Sequence, residues 1–140
     1  MEILVALDDS VFSEKVLRWA VKEAKLHGAR LTSVTVVEGL MQIEELLPDM
    51  AGLARMALVS EAEKIAGRNK GYALAEGVDM DALVVCAQTA AEGILDEAKR
   101  IGADLVVLGS HGRKGIRRFV MGTVASRVMR HSPCTVAVVR

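Results

Sequence analysis

Apolar positions along the chain alternate between short unbroken runs and longer stretches in which they recur every three or four residues. Ile3-Leu4-Val5-Ala6-Leu7 is an unbroken run ended by Asp8-Asp9-Ser10, the pattern of a strand buried on both faces of a parallel sheet. Residues 13–27 carry a helical stripe at Val16, Leu17, Ala20, Val21 and Ala24. Ser10 or Ser13 is the candidate cap of that helix and Gly28 its stop. Residues 31–37 form a second, β-branched run ended by Glu38-Gly39, and Pro48 breaks any long helix across 39–49. From Met50 a stripe resumes at Leu53, Ala54, Ala57, Leu58, Ala62 and Ile65, with Gly67 as its predicted end. Residues 67–81 then read as a loop or a poor edge element, and 82–87 as the third strand. Thr89-Ala90-Ala91-Glu92 is a capping box. It opens a helix with Ile94, Leu95, Ala98 and Ile101 inward and Gly102 as stop. Residues 104–108 are the fourth strand, followed by a glycine-rich loop, a short helix near 123–131, Pro133, and a last strand at 135–139.

Strands and helices therefore alternate through five strands with no repeat and no linker. Such alternation implies an α/β domain spanning 1–140: a single doubly wound five-stranded parallel sheet, order 3-2-1-4-5, with helices on both faces. Strands one and four are neighbours at the switch point of that order. Ligands of such sheets bind beyond the strand C-termini at that point, which directs attention to 8–13 and 109–126.

Composition narrows the function classes. Of the 140 residues, 51% are hydrophobic and 26% charged, which excludes disorder. Eighteen basic residues balance eighteen acidic ones, and aromatics are 3%. That argues against nucleic acid or an anionic membrane as a broad partner, and against base-stacking platforms. The balance is uneven along the chain, however. Residues 105–140 hold seven basic side chains and no acidic one, so 1–104 hold eleven basic against eighteen acidic. The run at 3–7 is too short for a signal sequence or a membrane span, so a cytoplasmic protein is expected. Cys86 and Cys134 sit in apolar runs and are expected as buried small hydrophobes, and the seven methionines as core filler.

The fourth strand ends in Gly109-Ser110-His111-Gly112, and Gly122-Thr123 follows after nine residues. Gly109 and Gly112 would permit left-handed backbone and close approach of a ligand. Gly122-Thr123 opens a helix whose free N–H groups and dipole favour an anion. With Arg113, Lys114, Arg117 and Arg118 between them, these parts suit a phosphate chain. A solvated basic loop closing a tight strand–helix connection accounts for the same residues. No G-x-x-x-x-G-K-[ST] and no G-x-G-x-x-G after the first strand occurs, which excludes a Walker A loop and a dinucleotide fingerprint. Asp8 suits either a ribose hydroxyl or a polar turn before the helix. A phosphoreceiver is rejected, because the third strand ends in Cys86-Ala87-Gln88 without an acceptor Asp. His27 and His131 lie at helix ends. His111 has no nucleophile and acid pattern around it that would make it a base.

These residues resemble the universal stress protein family over nearly the whole chain. Residues 3–10 followed by Ser13-Glu14-Lys15-Val16-Leu17 are similar to its opening motif, and Asp104 to Gly112 to its fourth-strand signature. Gly109-x2-Gly112-x9-Gly122-Thr123 fits the G-x2-G-x9-G-[ST] pattern of its ATP-binding branch. The resemblance implies ATP in the switch-point crevice, with Mg2+ accompanying the phosphates. Asp8 would face adenine or ribose, and Ala6 and Val36 would line the adenosine pocket. Leu108 and Gly109 would touch ribose and the first phosphate. Gly112, Gly122, Thr123, Val124 and Ala125 would hold phosphates through their amides, with Arg113 as a further partner. Asp9 stands where the family usually has Gly, and Ala125 where some members have a hydroxyl. The resemblance also implies a homodimer through the last strand, where Val136, Val138 and Val139 would otherwise leave an apolar edge. The expected role is a stress sensor or regulator with at most slow ATP hydrolysis; the alternative is a nucleotide-free dimeric scaffold.

Overall fold

The structure, a computed structural model, describes residues 1–111 and 121–140. Five strands, β1 (Glu2–Ala6), β2 (Arg30–Val37), β3 (Met80–Cys86), β4 (Leu105–Gly109) and β5 (Thr135–Val139), form one sheet in the order β3-β2-β1-β4-β5. Every neighbouring pair is parallel. The helices are α1 (Ser13–His27), α2 (Leu40–Leu46), α3 (Ala51–Ala75), α4 (Ala90–Ile101) and α5 (Thr123–His131), with a 3-10 turn at Pro48–Met50. The class and strand order follow from the alternation of runs and stripes.

Side chains alternate across the pleat, so each strand feeds two cores. Ile3, Val5, Leu31 and Val107 pack with Val16, Ala20 and Ala24 of α1 and Ala73 of α3. Leu4, Val34, Val106 and Leu108 pack on the other face with Ala91, Ile94 and Ala98 of α4 and Ala125 and Val128 of α5. A third cluster, Val37, Leu40 and Ala62, seats α2 and the middle of α3.

Helix ends largely follow the sequence signals. Gly28 and Gly102 end α1 and α4 at φ 59° and 63°, in the left-handed region that favours glycine. Thr89 Oγ1 accepts from the Glu92 N–H at 3.2 Å. Thr89→Ala is expected to lower stability by about 1 kcal/mol, seen as a reduced urea midpoint at unchanged slope. The start of α1 departs from expectation. Phe12 occupies the cap position with no side-chain bond, because Ser13 Oγ is engaged with Asp8 instead.

The largest departure is at 67–81. Helix α3 runs through Gly67 and Gly71 to Ala75, and β3 begins at Met80. Interior glycines cost about 1 kcal/mol each in an exposed helix, but burial of Ala62, Ile65, Ala66 and Ala73 holds the helix across both. The stripe expected to be inward is only partly so: Ala62 and Ile65 are buried, whereas Leu53 and Leu58 are exposed. Of the seven methionines, Met80 is buried and the other six are exposed. Cys86 is exposed at the end of an edge strand and Cys134 half-buried. Among the described residues, no helix is long and apolar enough to cross a membrane.

Candidate functional site

A cavity of about 820 Å³ opens at the C-terminal end of the sheet, beside the switch point between β1 and β4. Strand β1 brings Ala6 and the turn after it brings Asp8; β2 brings Val34 and Val36; β4 brings Leu108 and Gly109. Helix α5 presents its N-terminus through Gly122, Thr123 and Val124. Eight residues expected at the site thus line one cavity.

Asp8 holds its own turn. Its Oδ1 accepts from the Ser10 N–H and from the Ser13 hydroxyl, each at 2.8 Å, and its N–H donates to Ser13 Oγ at 2.9 Å. These bonds are those of the polar-turn reading of Asp8. The carboxylate shapes the turn through one oxygen while the residue lines the cavity.

The opposite wall is the start of α5. The Gly122 N–H donates to the Ser110 carbonyl at 2.7 Å, and the first bond within α5 runs from the Ser126 N–H to the Gly122 carbonyl at 3.0 Å. The amides of Thr123, Val124 and Ala125 precede that bond, so the helix geometry gives them no carbonyl partner of its own. Gly122 caps the helix without a side-chain bond. A Cβ at Gly122 would stand 2.9 Å from the Ser110 carbonyl oxygen. The glycine lets these two segments approach so closely. Its φ of −61° is ordinary. Gly109 is likewise not left-handed, contrary to expectation: its Cβ would meet the His111 carbonyl at 3.1 Å and Val16 Cγ2 at 3.3 Å.

Ala125 was expected to act through its amide. Its side chain is 2% exposed in the core between α4 and α5 and does not line the cavity, so a hydroxyl there would be turned inward and only the amide is available to a ligand. Gly112 and Arg113 lie outside the described residues. Arg127 lines the cavity although the sequence did not single it out. Its signal was spacing, one helical turn beyond Thr123. Phe12 and His111 also line it; their ring centroids are 6.1 Å apart, and His111 Nδ1 is 2.9 Å from Ser110 Oγ.

Helix α4 sets the position of Val36. A Cβ on Gly93 would fall 2.8 and 2.9 Å from the two Val36 methyl groups and 3.3 Å from Ala87 Cβ. Gly93→Ala is expected to push α4 off β2 and cost about 1–3 kcal/mol by overpacking, measurable as a drop in melting temperature.

The model of the universal stress protein family matches residues 1–140. Universal stress protein YxiE of Bacillus subtilis is 33% identical over 149 residues, which cover 99% of this chain and 98% of its own. The solved structure of universal stress protein UspA from Lactobacillus plantarum matches with a TM-score of 0.83 at 25% identity, covering 100% of this chain and 97% of that one. The universal stress protein from Archaeoglobus fulgidus, solved in complex with dAMP, shares the fold at a TM-score of 0.76 and 24% identity, covering 100% of this chain and 98% of that one. The chain belongs to the universal stress protein family.

Proposed function

We propose that this protein binds ATP in the cavity beside the switch point and acts as a cytoplasmic homodimeric sensor or regulator in stress response. The observation that carries the reading is the pairing of two unlike walls. One is largely apolar, from Ala6, Val36 and Leu108, with the carboxylates of Asp8, Glu38 and Glu61 among its lining; the other offers the amide-rich start of α5 with Thr123 and Arg127. The first suits an adenosine and the second a phosphate chain. The dAMP complex of the Archaeoglobus fulgidus relative supports an adenine nucleotide as the ligand class. The preference for a triphosphate rests on the basic residues of 105–140, of which Arg113 and its neighbours fall between the two walls in sequence.

Gly109, Gly112, Gly122, Thr123, Val124 and Ala125 would hold phosphate oxygens through amides, with Arg113 and Arg127 supplying charge. These donors suit anions, so Mg2+ would arrive on the nucleotide's own oxygens. They would hold ground state and transition state alike, which favours retention of ATP over turnover. Dimerisation is assigned to the free edge of β5. Val136 and Val138 rest on one core and Val139 on the other, so the edge itself remains to pair with a second β5.

A thermal-shift series over ATP, ADP, AMP and cyclic nucleotides, backed by calorimetric titration, tests the reading. Stabilisation reaches about 2.7 kcal/mol at a hundredfold excess over Kd, and ATP is expected to give the largest shift. No ATP-dependent shift and no heat of binding would leave a nucleotide-free scaffold. A sedimentation mass of one chain would remove the dimer.

A further inference from the structure

Six of the fourteen large apolar side chains left exposed among the described residues fall within one short hairpin: Met41, Leu46, Leu47, Met50, Leu53 and Met56. The hairpin is α2, the 3-10 turn and the first turns of α3. Leu40 and Ile43 of α2 point into the third core cluster, which leaves Met41 and the helix end outward. Met50, Leu53 and Met56 follow at intervals of three through the turn into α3, so they stack on one side of it. Leu46, Leu53 and Met56 are 78%, 69% and 70% exposed, values normal for Lys or Glu on a solvent face rather than for Leu. Clustered apolar exposure of this kind marks interaction surfaces, and methionine suits surfaces that adapt to a partner.

The charge around the cluster selects the partner. Residues 38–56, which span the cluster, contain four carboxylates, Glu38, Glu44, Glu45 and Asp49, against one base, the exposed Arg55. An apolar face on which carboxylates outnumber bases four to one complements a helix with apolar residues on one side and Lys or Arg flanking them. It repels an anionic lipid surface. We propose that the α2–α3 hairpin is a docking surface for a basic amphipathic helix of a partner protein. The proposal does not depend on nucleotide binding.

The test is titration of the full chain with a four-turn Leu/Lys peptide patterned as an amphipathic helix. A scrambled peptide of equal composition and a Leu/Glu version of the same pattern serve as controls. The patterned basic peptide is expected to bind at least about tenfold more tightly than either control. L53E/M56E is expected to lose about tenfold in affinity with little change in melting temperature, since both side chains face water. E44Q/E45Q/D49N is expected to weaken binding most at low salt. Equal binding of the scrambled peptide, or full affinity in L53E/M56E, would overturn the proposal. So would a fall in sedimentation mass of L53E/M56E, which would make a second copy of this chain the occupant.

Discussion

Gly122→Val is expected to abolish measurable ATP binding while the chain stays folded. Valine tolerates the φ of −61° and ψ of 158° at this position, so no backbone strain is introduced. The obstacle is contact. The new Cβ would lie 2.9 Å from the Ser110 carbonyl oxygen and 3.7 Å from His111 Cα. Both are backbone atoms and cannot rotate away. The segments must separate, the 2.7 Å bond from the Gly122 N–H to Ser110 breaks, and the start of α5 moves relative to β4. An anion site made of fixed amides loses affinity steeply when its donors shift, because their spacing is what distinguishes the site from water. A loss of at least about a hundredfold in Kd is expected by calorimetry, equivalent to about 2.7 kcal/mol. Retained affinity would show that the start of α5 does not hold the phosphates.

Leu4→Ala is expected to be the most damaging single change to stability. Leu4 is fully buried at the centre of β1, and β1 pairs with β2 on one side and β4 on the other. Its side chain lies in the core with Val34, Val106 and Ile94. Those neighbours belong to strands held in register by the sheet and to a capped helix, so they close little of the space left behind. The expected loss is about 3 kcal/mol, a large share of the 5–15 kcal/mol that holds a typical domain. For a chain of this size the melting temperature should fall by roughly 10 °C. Chemical denaturation should show a lower midpoint at unchanged slope. A loss below about 1 kcal/mol would mean that α4 can settle into the gap.

Where local chemistry and tertiary packing agree, the sequence was legible. β5 and α5 match the predicted residue ranges, and Thr89, Gly28 and Gly102 mark real helix ends. Reading failed where packing outweighed a local signal. Gly67 looks like a stop and Gly71 lies in the segment read as a loop, yet α3 spans both with Ala62, Ala66 and Ala73 buried on its inner face. Leu53 resembles a core residue in any periodic count, but it is exposed in the first turn of α3. The same blindness applies to Met56 and Cys86, since hydrophobicity says what a side chain prefers and not what is available to cover it. At the site, Asp8, Gly109 and Gly122 were legible as residues that line the cavity because turn chemistry is local. Arg127 was missed, because its one mark, a spacing of one helical turn from Thr123, gains meaning only once the cavity is known. The role of Gly93 was also hidden, since it depends on the distance between α4 and Val36.

The pairing of β1 with β4 joins Ile3 to Leu105 and Val5 to Val107, across about a hundred residues of intervening chain. The cavity takes Ala6, Asp8 and Val36 from the chain before β4, and Leu108, Gly109 and the start of α5 from β4 onward. Closing so long a loop is slow relative to forming the β1–α1–β2 unit. A ligand that needs both walls therefore has nothing to hold until this closure is complete. It would stabilise the product of folding and not the transition state. A nucleotide bound here is accordingly expected to slow unfolding and leave the folding rate nearly unchanged, so that resistance to proteolysis rises with ligand while the speed of maturation does not.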